Sequence, residues 1–236
     1  NLAPVLDVLT EAYSPNIGIR SYGQDWRMVA EMGATRLAAM QQGGLSACAK
    51  HFPGKGHAPV DAHLGLPVIP STWKEMEAVH LKPFVQAIQA GVDLVMSSHP
   101  YYPNLDPGPQ KIATFSRRII HDYLRQELNF PGVIASDDLE MGAIAKKWGV
   151  PKEASRSFAA GVDVLLVCKE QRFIAECLRE IRTRLLRKEI PVERLSQSAD
   201  RIQKAKMRFL KKREDISLDD VVAYFQLEED PGSVPP

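Results

Sequence analysis

At 236 residues, 44% of them hydrophobic, the chain is long enough to bury a sizeable core as one large domain or two small ones. Its 30 Lys and Arg stand against 29 Asp and Glu, for a net charge of +1, so no basic excess points to nucleic acid and no acidic excess to a solvating tail. No stretch approaches the roughly 18 apolar residues of a membrane-spanning helix. Neither nucleic acid nor a membrane is an expected partner.

The predicted elements alternate along the chain. Leu2–Val8 reads as a short apolar strand and Trp26–Gln41 as a helix with Ala, Met and Leu at helical spacing. Leu45–His51 is the next strand. Thr72–Ala90 is an amphipathic helix with Ser71 or Thr72 available as its cap. Val92–Ser98 is a continuous apolar strand, Ser116–Gln126 a helix, and Gly132–Ser136 a strand. Glu153–Ala160 is a helix, Gly161–Val167 a strand, and Gln171–Leu186 a helix. Pro191–Lys212 reads as one more charged helix. The tail, 215–236, is acidic and ends Pro231-Gly232-Ser233-Val234-Pro235-Pro236; it is expected to lie on the outside or fray, beyond a catalytic domain over 1–214.

Most of these strands are near-continuous apolar runs without two-residue alternation, and long helices separate them. That is the pattern of a parallel sheet buried on both faces. It fits a doubly wound sheet or a (β/α)8 barrel. The strands number about five, where a barrel needs eight and about 250 residues. The chain opens Asn1-Leu2-Ala3-Pro4, without Met or a basic stretch before an apolar one, so it shows no signal peptide. A start inside a strand implies upstream sequence that is not in view.

Cys48, Cys168 and Cys177 are odd in number and match no zinc spacing. Cys48 and Cys168 sit in apolar runs and read as buried thiols. A reducing compartment, the cytoplasm, suits them.

In parallel α/β folds, ligands bind beyond the carboxyl ends of the strands. Here those ends carry Asp7; Lys50-His51, then Phe52-Pro53-Gly54-Lys55-Gly56; Ser97-Ser98-His99; Ser136-Asp137-Asp138; and Cys168-Lys169. Each has a bland reading alone. Asp138 is either a helix cap or a site residue, and His99, before Pro100, is either a satisfied structural histidine or a contact. Together they read better as an active-site rim.

Glycoside cleavage needs a nucleophile below the anomeric carbon and a proton donor at the leaving oxygen. Asp137, at the end of a buried strand, would be held rigidly and aimed into the mouth. His63 is a candidate donor. Asp61, two residues earlier, would point the same way on an extended loop and orient the imidazole; from spacing alone an ordinary loop salt bridge is the better reading of the pair.

Lys50-His51-Phe52-Pro53-Gly54-Lys55-Gly56, followed after four residues by Asp61-Ala62-His63, closely resembles the signature loop of family 3 glycoside hydrolases of the bacterial β-N-acetylglucosaminidase (β-N-acetylhexosaminidase) type. Ser136-Asp137-Asp138-Leu139-Glu140-Met141 resembles that family's nucleophile segment. Asn1–Val8 looks like one of its strands, and Asn16-Ile17-Gly18-Ile19-Arg20-Ser21-Tyr22 like its arginine-bearing segment. The resemblance covers roughly residues 1–185.

It implies a TIM-type (β/α)8 barrel, of which this chain supplies about the last five βα units. It also implies a retaining glycosidase with Asp137 as nucleophile and Asp61 and His63 as acid/base. Arg20, Lys50 and His51 would contact sugar hydroxyls, with His99 beside them. A terminal β-linked N-acetylhexosamine would be removed, from peptidoglycan-type fragments, without metal or organic cofactor. Phosphorolysis is a possible side activity, because a histidine donor is neutral after giving up its proton and does not repel an anionic acceptor.

The chain departs from the family in places. Ala62 stands where Ser or Thr is usual. Lys55 stands where His is common and is expected to alter the loop without occupying a catalytic position. The family's first three strands, with an aspartate that holds the sugar's distal hydroxyls, have no counterpart here, and an open barrel of five strands would expose apolar edges. The alternatives are a β-glucosidase of the same family and a non-catalytic sugar-binding protein on an incomplete barrel. The sequence leaves the oligomeric state open.

Overall fold

A computed structural model describes residues 1–10, 14, 17–58, 66–108, 111–141, 149–210 and 216–225. Four strands, β1 Cys48–Phe52, β2 Leu94–Ser97, β3 Val133–Asp138 and β4 Val164–Leu166, form a parallel sheet in the order β1-β2-β3-β4. Neighbours in sequence are neighbours in space, joined by helical crossovers.

The segment expected as a first strand lies alongside β1 but makes one isolated bridge, Val5 to Lys50. Cys48 N donates to Ala3 O (2.7 Å), Leu6 N to Lys50 O (2.6 Å) and Lys50 N to Pro4 O (3.1 Å). Pro4 has no N–H to give the ladder, which interrupts regular pairing.

The helix expected over Thr72–Ala90 is broken in three. Trp73–Glu75 opens with a capping box between Thr72 and Glu75, Met76–His80 is a π-turn, and Lys82–Gln89 resumes the α-helix. Pro83 cannot donate to the residue four before it and its ring crowds that carbonyl, so the preceding turn widens. The helix expected at Ser116–Gln126 is π-type over Arg118–Glu127, which nothing in the sequence announced. Val150–Ala160 starts ahead of its expected Glu153, with Pro in its first turn, where a missing N–H costs nothing. Gln171–Leu186 forms as read.

Helix Trp26–Gln42, capped by Asp25, packs on Lys82–Gln89, and Val150–Ala160 packs on Gln171–Leu186. Between these layers and the sheet lies a core that includes Leu6, Leu37, Phe52, Phe84, Phe130 and Ile134. Phe52 and Phe84 meet edge to face at 5.4 Å.

The amino ends of the strands are tied to helix Glu193–Phe209, the realised part of the expected 191–212 helix. Asp163, just before β4, is buried and accepts from Arg125, Arg194, Arg201 and Ser198 at 2.7–3.1 Å. Asp93, just before β2, pairs with Arg208 at 2.6 Å. Within the tail, Leu218–Phe225 is helical and exposes Leu218, Tyr224 and Phe225.

Cys48 and Cys177 are buried, but Cys168 is exposed. β4 ends at Leu166, so Cys168 has already left the sheet for the rim; the apolar run that predicted its burial outlasts the strand. Among the described residues no helix is long and apolar enough to cross a membrane.

Candidate active site

The carboxyl ends of the strands converge on Asp137. β1 carries a bulge: Lys50 registers with Met96 and Phe52 with Ser97, leaving His51 as the extra residue. A second irregularity between Ala135 and Asp138 precedes the end of β3. Bulges re-aim side chains at sheet rims, and here they fall at His51 and beside Asp137.

Asp7 organises the first half of the site. It is fully buried, and its Oδ2 lies 2.7 Å from His51 Nδ1 and accepts from His51 N at 3.1 Å. Its Oδ1 accepts from Lys55 N at 2.7 Å. Burial alone would raise the Asp7 carboxyl, but the hydrogen bonds and charges of His51 and Lys55 hold it below the usual carboxylate range. His51 is also buried; burial first, then the Lys55 cation, draws it below the ordinary imidazole range against the pull of Asp7. The pair is therefore an aspartate and a neutral imidazole that donates Nδ1–H, leaving the Nε2 lone pair toward the mouth.

Gly56 lets this loop close on the first segment: a Cβ there would overlap the Val8 carbonyl. Tyr102 Oη donates to Gly54 O at 2.8 Å and fixes the same turn. His57, next along, stacks on His80 with ring centroids 3.8 Å apart. Asp61 and His63, the expected acid/base pair, lie outside the described residues.

Asp137 is the convergence point. Its side chain is 19% exposed, with His51 Nε2 3.8 Å and Lys55 Nζ 3.4 Å from Oδ2. Asp138 N donates to Oδ1 at 3.0 Å. Burial opposes its charge, but the Lys55 cation and the Asp138 N–H overcome that and hold Asp137 far below the ordinary carboxylate range, so it is ionised at any physiological pH.

Asp138 Oδ1 accepts from Glu140 N at 3.0 Å, a turn-capping contact. Glu140 in turn accepts from Lys169 N at 2.6 Å and Glu170 N at 3.0 Å, anchoring the start of helix Gln171–Leu186 to the rim. His99 is buried with both ring nitrogens engaged: Nε2 donates to Asp138 O at 3.1 Å and Nδ1 faces Thr114 Oγ1 at 3.0 Å. Burial pushes it down to about 4, so it is neutral and acts on the backbone beside Asp137. Lys50 is half-buried; burial, with Arg20 and Lys55, lowers its ammonium against Cys48 and Asp137. Arg20 is exposed in the short turn Gly18–Arg20. Among the described residues no three of His, Cys, Asp and Glu gather as a metal-binding set.

Sequence reasoning placed Asp137, Lys50, His51 and His99 on one rim, and the structure brings them together. It underrated two residues. Asp7 was visible only as a strand-end carboxylate. Lys55, expected outside any catalytic position, reaches Asp137; the Gly on either side lets its loop turn back into the mouth.

Residues 1–205 match the glycosyl hydrolase family 3 N-terminal domain. The chain belongs to this family. It is 40% identical over 172 residues to the β-hexosaminidase of Tolumonas auensis, a match spanning 72% of this chain and 50% of that protein. It is 38% identical over 186 residues to the β-hexosaminidase of Stenotrophomonas maltophilia, covering 79% of this chain and 54% of that one. The chain thus spans about half the length of the curated relatives it matches. A family 3 β-N-acetylglucosaminidase from a Paenibacillus species superposes with a TM-score of 0.89 at 34% identity, over 92% of this chain and 42% of that one. The fold is accordingly the α/β, (β/α)8 barrel type of the family, present here as four hydrogen-bonded strands and the bridged segment at Val5 among the described residues.

Proposed function

We propose that this protein is a retaining β-N-acetylhexosaminidase that removes terminal β-linked N-acetylglucosamine through a glycosyl-enzyme on Asp137. The observation that carries the reading is the Asp137 carboxylate. It is ionised, partly exposed at the end of β3, and steadied by Lys55 on one oxygen and by Asp138 N on the other. The chain's likeness to β-hexosaminidases supports the substrate class.

In the first step Asp137 attacks the anomeric carbon while His63, oriented by Asp61, protonates the leaving oxygen. In the second, water attacks the same carbon and gives its proton to His63 as the bond from that carbon to Asp137 breaks and its electron pair returns to the carboxylate. The free Nε2 of neutral His51 is suited to accept from a sugar hydroxyl, and Lys50 and Arg20 to donate to others. His99 serves as a positioning residue through the Asp138 carbonyl. Peptidoglycan-type fragments are the proposed source of the sugar and hydrolysis the main reaction. The unpaired thiols suit a reducing, cytoplasmic setting.

Parallel assays with aryl β-N-acetylglucosaminide and aryl β-glucoside test this. Preferred cleavage of the acetamido substrate, lost in Asp137→Ala with circular dichroism unchanged, is expected. Preference for the glucoside would point to a β-glucosidase, and binding without turnover to a sugar-binding protein; either overturns the proposal.

A further inference from the structure

Lys55 stands out among the residues around Asp137. Its side chain is buried, its backbone is fixed by Asp7 at 2.7 Å, and its ammonium is 3.4 Å from Asp137 Oδ2. Among the described residues, the charged or titratable groups facing this pair include Asp7 from the first segment, Lys50 and His51 from β1, His99 after β2, and Asp138 from β3. His51 and His99 are held neutral by burial, and Asp7 is already satisfied by three hydrogen bonds. Lys55 thus sets an ammonium in direct contact with the carboxylate, 3.4 Å from Oδ2. Lysine here is a departure from the histidine common in this turn, and it places an ammonium where the histidine would place an imidazole.

We infer that Lys55 is a catalytic residue for the second half-reaction, stabilising Asp137 as it leaves the anomeric carbon. The inference rests on the glycosyl-enzyme reading above. In that step a water oxygen bonds to the anomeric carbon, its proton passes to His63, and the bond from that carbon to the Asp137 oxygen breaks with its electron pair returning to the carboxylate. Negative charge reappears 3.4 Å from Lys55. A fixed cation at the site of developing charge lowers the barrier of this step. In the first half-reaction the same carboxylate loses charge, so Lys55 gives no advantage there and makes the nucleophile less basic. Lys55 thus shifts the balance between the two steps in favour of releasing the sugar.

The sign of that asymmetry makes the inference testable. With an activated aryl β-N-acetylglucosaminide at pH 7, Lys55→Met should show a burst of one aryl equivalent followed by slow turnover. Its kcat and KM should fall together, by about tenfold or more, while kcat/KM stays within about threefold of the parent. Mass spectrometry of the quenched variant should find the glycosyl-enzyme accumulated, and a small competing nucleophile such as azide should raise kcat. Lys55→Arg, which keeps the charge, should behave like the parent. Lys55→His, carrying the residue common in the family, guards against misfolding of the Met variant; its burst should appear only as pH rises and the imidazole loses its proton. A merely structural lysine would instead lower kcat/KM with no burst, and that result overturns the inference while leaving Asp137-dependent hydrolysis standing. Absence of Asp137-dependent hydrolysis in the parent would overturn the functional reading and this inference with it.

Discussion

Asp7 holds His51 with a 2.7 Å contact to Nδ1 while the other edge of the same ring faces Asp137 across 3.8 Å. One buried carboxylate therefore sets the tautomer and the orientation of the histidine beside the nucleophile, while burial and the Lys55 cation keep that histidine neutral. Asp7→Asn places an amide where three donors expect an acceptor. It should cost about 3 kcal/mol of stability, the scale for breaking a buried charged network. Activity should fall further than stability, because His51 can then flip. Urea titration together with kcat/KM on the aryl substrate checks both parts.

At the opposite end of the strands, Asp163 ties helix Glu193–Phe209 to the sheet through Arg194 and Arg201. Asp163→Asn should destabilise by about 3–5 kcal/mol, since three guanidinium groups lose their shared carboxylate. The KM of the fraction that remains folded should be unchanged. A shift in KM would mean that this end communicates with the site.

Stability should depend steeply on acid. His57 and His99 are pushed down to about 4, and His80 to about 3, in each case chiefly by burial. Their unfolded forms take up protons near 6.5. Between about pH 6 and 4.5 the unfolded state therefore binds three more protons than the folded state at these residues, and stability falls as pH falls. His51, drawn down by its own burial, acts in the same direction as these rings, and Glu153 acts the other way with one proton, which leaves a net slope of at least about 3 kcal/mol per pH unit. Asp7 and Asp137 join only at lower pH. Replacing the stacked pair together, His57→Phe with His80→Phe, should remove about 3 kcal/mol per pH unit of the slope, the share of the two rings. Urea midpoints measured from pH 6.5 to 4.5 decide it, and an unchanged slope would show that these rings do not govern it.

Glu153 is fully buried in helix Val150–Ala160, with neither carboxylate oxygen hydrogen-bonded among the described residues. Burial pushes it up to about 8, so the folded protein holds a proton that the unfolded chain has released. Its burden grows as pH rises from about 4.5 to 8. Glu153→Gln should raise stability at pH 9 by on the order of 1–3 kcal/mol and change little at pH 5. Thermal melts at the two pH values test the sign.

The sheet was legible because its strands are apolar runs between periodic helices, and both features come directly from burial. The rim was legible because ionisable residues follow those runs. What the sequence concealed came from backbone geometry and long-range approach. The widened turn before Pro83, the bulge at His51 and the exposure of Cys168 depend on how segments meet, which no local pattern encodes. Lys55 was misjudged for the same reason: its position in a Gly-x-Gly turn says nothing of the 82-residue separation across which it reaches Asp137. Asp7 looked like one strand-end carboxylate among several until its three hydrogen bonds were in view.

The most direct test of the central claim is to trap the intermediate. The protein would be treated with a fluorinated N-acetylglucosaminyl donor that loads quickly and hydrolyses slowly, then digested and sequenced by mass spectrometry. The account predicts one sugar adduct, on the peptide bearing Asp137 and at that residue. Turnover of the unfluorinated substrate without any adduct, or an adduct on another residue, would contradict it and point to a mechanism in which the substrate's own acetamido group, or a different side chain, makes the attack.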